Sequence, residues 1–128
     1  MNKEALKEKF KFDLIGRWIS CEGTFSNVMS EIWEFYADGN VRIISNSVMS
    51  GQETEEFRWR KKGQFCIETT YSEINEPEIW IERYYDFLEI TTDTGLMIAL
   101  IELDGNTKMP QKGFGLMEVP LAYSGETD

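Results

Sequence analysis

The sequence predicts an all-β protein: an antiparallel up-and-down meander of eight or nine strands that closes into a small barrel, with a short N-terminal helix. Three observations predict it. After Gly16 the chain falls into runs of about five to eight residues rich in aromatic and β-branched types. Turn-forming stretches such as Asp38-Gly39, Gly51-Gln52 and Asp93-Thr94-Gly95 separate those runs. No intervening segment has the length of a helix that could return the chain for a parallel neighbour. The chain has 128 residues, 41% of them hydrophobic, including four tryptophans, five tyrosines and eight phenylalanines. That is material for one core in one domain, expected as a helix within 1–13, a barrel over 14–121 and a flexible tail over 122–128.

The elements follow in order. Over residues 3–12, Leu6 and Phe10 stand one helical turn apart, with Glu4 near the start and Lys7, Lys9 and Lys11 toward the end, as the helix dipole favours. Arg17 to Glu22 forms the first strand and Glu31 to Tyr36 the second. Ala37-Asp38-Gly39-Asn40 makes a hairpin turn, and Val41 to Val48 returns. Past Gly51-Gln52, Phe57 and Trp59 alternate with Glu56, Arg58 and Arg60, the pattern of a half-buried strand. Lys61-Lys62-Gly63-Gln64 reverses the chain, after which Phe65, Ile67, Thr69 and Tyr71 share one face and Cys66, Glu68 and Thr70 the other.

A polar loop over Ser72 to Pro77 precedes strands at Ile79 to Tyr84 and Phe87 to Thr91. The apolar run Leu96 to Leu103 fits a helix by periodicity, but its length and flanking turns favour a strand buried on both sides. A last strand is expected from Phe114 to Leu121, with Pro120 near its end. Closing such a meander removes exposed strand edges, which favours a barrel over an open sandwich.

Gly16-Arg17-Trp18, opening the first strand after a short helix, resembles the Gly-x-Trp start of lipocalins and related calycin barrels. The resemblance extends over the meander of residues 12–121. It implies a tryptophan that closes one end of the barrel and an interior that often holds a small apolar molecule.

Composition excludes much chemistry. There is no histidine, which removes the commonest general base, the commonest nitrogen metal ligand and the usual Ser-His and Cys-His nucleophile systems. Gly113-Phe114-Gly115 lacks the strand-to-helix setting of a phosphate loop. Glu53, Glu55, Glu56, Glu73, Glu76, Glu78 and Glu82 offer many carboxylate pairs, as 23 acids will by composition alone. No segment has the regular spacing of a calcium loop. The protein is therefore expected to be no enzyme and to hold neither metal nor cofactor. Cys21 and Cys66 are expected to be reduced and buried. MNKEALKEKFKF has no apolar stretch of signal-peptide length, so a cytoplasmic location is expected.

Charge points to the partner. The net charge is −10, which disfavours nucleic acid and anionic membranes. Residues 63–107 contain ten acids and one base, Arg83, whereas residues 1–62 balance ten of each. The basic cluster Arg58-Trp59-Arg60-Lys61-Lys62 reads as an amphipathic strand running into a turn. Two binding roles follow. In the first, an acidic surface captures a basic protein, with Glu73, Glu76, Glu78, Glu82 and Asp86 as charges and Trp80, Tyr84 and Tyr85 as anchors. Its character is similar to that of bacterial immunity proteins, which neutralise cationic nuclease toxins. In the second, the barrel carries a small hydrophobic ligand lined by Trp18, Trp33, Phe35, Phe57, Trp59, Phe65 and Ile67, unless those side chains fill the space themselves.

Overall fold

The computed structural model of the protein describes residues 2–20, 29–71, 79–92, 95–107 and 121–127. Among these residues, one helix, α1 (Lys3–Lys9), precedes eight strands: β1 (Gly16–Ser20), β2 (Met29–Phe35), β3 (Asn40–Ser47), β4 (Gly51–Gly63), β5 (Cys66–Tyr71), β6 (Ile79–Thr92), β7 (Gly95–Leu103) and β8 (Leu121–Gly125). Each strand pairs antiparallel with the next in sequence, and β8 returns to β1, so the sheet is a closed up-and-down barrel.

The alternation read in the sequence sets the inner face. Trp18 stands opposite Trp33, Trp33 opposite Ile43, and Phe35 opposite Val41, and all five are buried. Trp59 and Ile67 join them from β4 and β5, and Phe87, Leu100 and Leu121 from the later strands. Aromatic rings interlock across this space, among them Trp33–Phe35, Trp33–Phe57 and Trp18–Phe87 at centroid separations near 6 Å. These rings pack against one another across this part of the interior.

One end is plugged by α1 and the segment after it. Asn2 caps the helix by accepting from Ala5 N–H. Leu6, Phe10 and Leu14 are buried against Trp18, whose indole Nε1 donates to Leu14 O at 2.9 Å. The helix is shorter than the periodicity suggested, because Phe10 leaves helical geometry as the C-cap. Lys11 O then accepts from Phe65 N–H, and Phe10 O from the Tyr85 hydroxyl at 2.6 Å. Gly16 has a φ of +141°, and a Cβ there would meet the Tyr123 ring at 2.7 Å and Gly125 O at 2.9 Å. The Gly-x-Trp spacing therefore has two local causes: a backbone crossing that only glycine tolerates, and an indole that seals the plug.

Several expectations need correction. β6 is one strand of 14 residues, where two were expected. Tyr85-Asp86 makes no turn, because pairing with β7 is unbroken from Tyr84–Leu103 to Thr92–Gly95. Phe65 belongs to the β4–β5 turn with a φ of +53°, half-buried against the core, and not to the strand. The last strand lies later than expected: β8 pairs Gly125 with Arg17, and the Thr127 hydroxyl donates to Phe35 O, so the expected tail is held. Residues 114–120 of the expected last strand lie outside the described residues. β7 is buried on both faces only at Ala99, Leu100 and Ile101, whereas Leu96 is exposed. Cys66 is a buried thiol, and Cys21 lies outside the described residues. Among the described residues, no helix is long and apolar enough to cross a membrane.

Candidate functional site

The outer wall of β4, β5 and β6 carries the described part of the acidic surface read from the sequence. Trp80 is half-buried between two guanidinium groups, 3.9 Å from Arg60 and 5.4 Å from Arg58 to its ring. Arg60 pairs with Glu68 at 2.9 Å, and Lys62 with Glu82 at 3.5 Å. Glu82 also accepts from the Tyr84 hydroxyl at 2.8 Å, and that carboxylate pushes the Tyr84 hydroxyl up to about 12. Asp86 pairs with Lys7 of α1 at 3.5 Å. Thus the basic run of β4 lies two strands from the acids of β6 and offsets them. Tyr85 is no surface anchor: it points into the barrel, 1% exposed, and burial pushes its hydroxyl well above the ordinary tyrosine value. In the adjacent pair Tyr84-Tyr85, alternation sends one ring out and the other in. Glu73, Glu76 and Glu78 lie outside the described residues.

The end of the barrel opposite α1 is different. Glu31 stands opposite Ser45, and Ser45 opposite Glu53, while Glu55 stands opposite the buried Ile43. Register therefore places Glu31, Glu53 and Glu55 on the inner face. Along residues 51–56 of β4 both faces are exposed, and on β6 the inward-facing Ile79 and Ile81 are 50% and 40% exposed. Among the described residues, inner-face side chains meet solvent at this end, the mouth side of the barrel.

Glu31 is the central group of the mouth. It is only 3% exposed. One carboxylate oxygen, Oε2, accepts from Trp33 Nε1 at a long 3.4 Å, and its backbone N–H donates to Ser20 Oγ. Six cations elsewhere are committed to Asp86, Glu34, Glu56, Glu68, Glu82 and Glu102; among the described residues none pairs with Glu31, Glu53 or Glu55. Burial raises the Glu31 carboxyl above the ordinary glutamate value, the Trp33 hydrogen bond lowers it in part, and the charge of Glu55 raises it again. Sequence reasoning placed Glu53 and Glu55 among solvated charges and gave Glu31 no role. The signal was the period of β2, where Glu31 shares parity with Trp33 and Phe35 and so faces inward with them.

A polar pair also lies inside. Arg83 donates to Thr69 Oγ1 and to Glu102 Oε1, both at 2.8 Å, which offsets the burial of both charges. No group of three or more His, Cys, Asp or Glu side chains among the described residues is placed to hold a metal ion. On the outside of the plugged end, Lys9, Phe10, Asp13, Ile15, Tyr123, Glu126 and Thr127 line a cleft of about 230 Å³. Comparison with protein-family models, with curated proteins and with solved structures finds no match to this chain.

Proposed function

We propose that this protein is a non-enzymatic acidic binding protein that captures a basic protein partner, in the manner of an immunity-type inhibitor of a cationic toxin such as a nuclease. One observation carries the reading. Amid a surface whose described bases are largely tied to acids, the mouth presents Glu53 and Glu55 exposed, inward-facing and without an ion pair among the described residues. Uncompensated carboxylates of one sign steer a cationic partner and raise its association rate. The proposed contact is thus the mouth wall of β2–β4. Glu73, Glu76 and Glu78 remain sequence-based candidates, with Trp80, Glu82 and Tyr84 on the adjoining outer wall.

Carriage of a sizeable hydrophobic ligand, the lipocalin-like alternative, fits less well. Its proposed lining includes Trp18, Trp33, Phe35 and Ile67, which are fully buried within one packed cluster, as side chains that fill a small barrel are. Affinity capture from a lysate of the source cells at low and high salt, followed by mass spectrometry of proteins and small molecules, tests the proposal. A single basic protein retained at low salt and released at high salt is the expected result. Recovery of an apolar small molecule with no protein would overturn it in favour of carriage.

A further inference from the structure

Outside the plugged end, segments far apart in sequence meet around a cleft. Pairing of β8 with β1 carries residues 123–127 past the segment that follows α1, and the Thr127 hydroxyl holds this stretch by donating to Phe35 O at 2.9 Å. The cleft of about 230 Å³ between them is lined by residues of both segments. Lys9 is fixed in its wall: the ammonium donates to the Tyr123 hydroxyl at 3.2 Å and stands 5.0 Å from the Tyr123 ring centre and 5.5 Å from that of Phe10. That hydrogen bond uses one of the three N–H groups of the ammonium. Two carboxylates, Asp13 and Glu126, line the same cleft. Asp13 is half-buried and oriented by its own turn, Oδ1 accepting from Ile15 N–H at 3.0 Å. Among the described residues Lys9 forms no ion pair with either acid. The cleft therefore keeps opposite charges apart, with Ile15 and Tyr123 supplying apolar surface beside them.

We infer that this cleft binds a small α-amino acid with an apolar side chain: its carboxylate meets Lys9, its ammonium meets Asp13 with Glu126 adding negative charge, and its side chain lies against Ile15 and Tyr123. Simpler ligands fit less well. A lone anion approaches a protein of net charge −10 and finds two carboxylates in the cleft, and a lone cation meets Lys9. A molecule that carries both charges on one carbon has no net charge and bridges groups that do not reach each other. The volume sets the size class. It lies below the roughly 300 Å³ at which clefts take drug-sized ligands, and at the ~30 Å³ that a water molecule occupies in the liquid it admits about eight heavy atoms, the size of valine or leucine. Lys9 is held in place before a ligand arrives, which lowers the ordering cost of binding. The cleft lies at the end of the barrel away from the mouth, and the inference does not rest on capture of a protein partner.

The test is titration of the full protein with L-leucine, with 3-methylbutylammonium, which lacks the carboxylate, and with 4-methylpentanoate, which lacks the ammonium, followed by backbone amide NMR shifts and calorimetry. Saturable binding of leucine is expected, with shifts centred on Ile15, Tyr123 and Thr127, and binding of each fragment at least about tenfold weaker. Lys9→Met keeps the length of the side chain and removes its charge, and Asp13→Asn keeps the oxygen that accepts from Ile15 N–H and removes the charge. Each is expected to weaken leucine binding about 10- to 100-fold. Glu4→Gln, exposed in the first turn of α1 and outside the cleft lining, leaves the affinity unchanged. Absence of saturable leucine binding, shifts centred elsewhere, equal or tighter binding of either fragment, or unaltered affinity in folded Lys9→Met and Asp13→Asn variants overturns the inference. Because no partner protein enters this experiment, its failure is separate from a failure of the affinity capture.

Discussion

Single residues in this protein are explained by what stands opposite them. Gly16 is required by the close approach of Tyr123 and Gly125 O, so Gly16→Ala is expected to cost about 1–3 kcal/mol in urea unfolding. Glu31 has the opposite character, a group that weakens the fold it occupies. Its folded-state pKa lies above the unfolded value, chiefly through burial. Between the two values the native state holds more protons than the unfolded chain, so stability falls as pH rises through that window. Glu31→Gln is therefore expected to flatten this decline and to be more stable than the parent above the window, as urea melts across pH will show. The inward positions Trp18, Trp33, Phe35, Trp59 and Ile67 were legible because alternation in an aromatic-rich strand admits one sensible face. Tyr85 was not, since Tyr84-Tyr85 offers a ring to either face; its burial and its hydroxyl bond to Phe10 O place it inside.

At the level of elements, the hairpins of β2–β3, β3–β4 and β4–β5 were readable because glycine-containing turns separate alternating runs. Element ends were less so. The continuity of β6 was hidden because Asp86, a common turn residue, here accepts from Phe87 N–H and pairs with Lys7 inside an unbroken ladder. The helix was legible as a helix but not as a plug, because its packing depends on contacts far away in sequence, with Trp18, Phe87 and Tyr123. Phe10→Ala removes a ring that touches all three. It is expected to cost about 3–5 kcal/mol and to lower the melting temperature while the mouth residues stay unperturbed in their NMR shifts.

At the scale of the whole molecule, the described residues divide between an apolar half packed against α1 and a polar half where the inner-face carboxylates Glu53 and Glu55 meet solvent. The sequence carried the closed meander, since eight or nine strands without covered edges favour closure, and it carried the acid surplus. It did not carry the location of the uncompensated charge, because pairing of Arg60 with Glu68 and Lys62 with Glu82 depends on which strands become neighbours. Reversing Glu53 and Glu55 to lysine is expected to abolish capture of a basic partner and to leave the melting temperature nearly unchanged, as exposed charges contribute little to stability.

All of this rests on the division into two halves, which solvent access to methyl groups reads directly. With methyl-labelled protein and a soluble paramagnetic probe, Ile79 and Ile81, inward-facing at the mouth, are predicted to relax as strongly as the exposed Val48. Ile43, Ile67 and Leu100, inward-facing in the packed half, are predicted to be protected. Protection of Ile79 and Ile81 would mean that the mouth is closed, and relaxation of Ile43 and Ile67 that the barrel is hollow; either result contradicts the account.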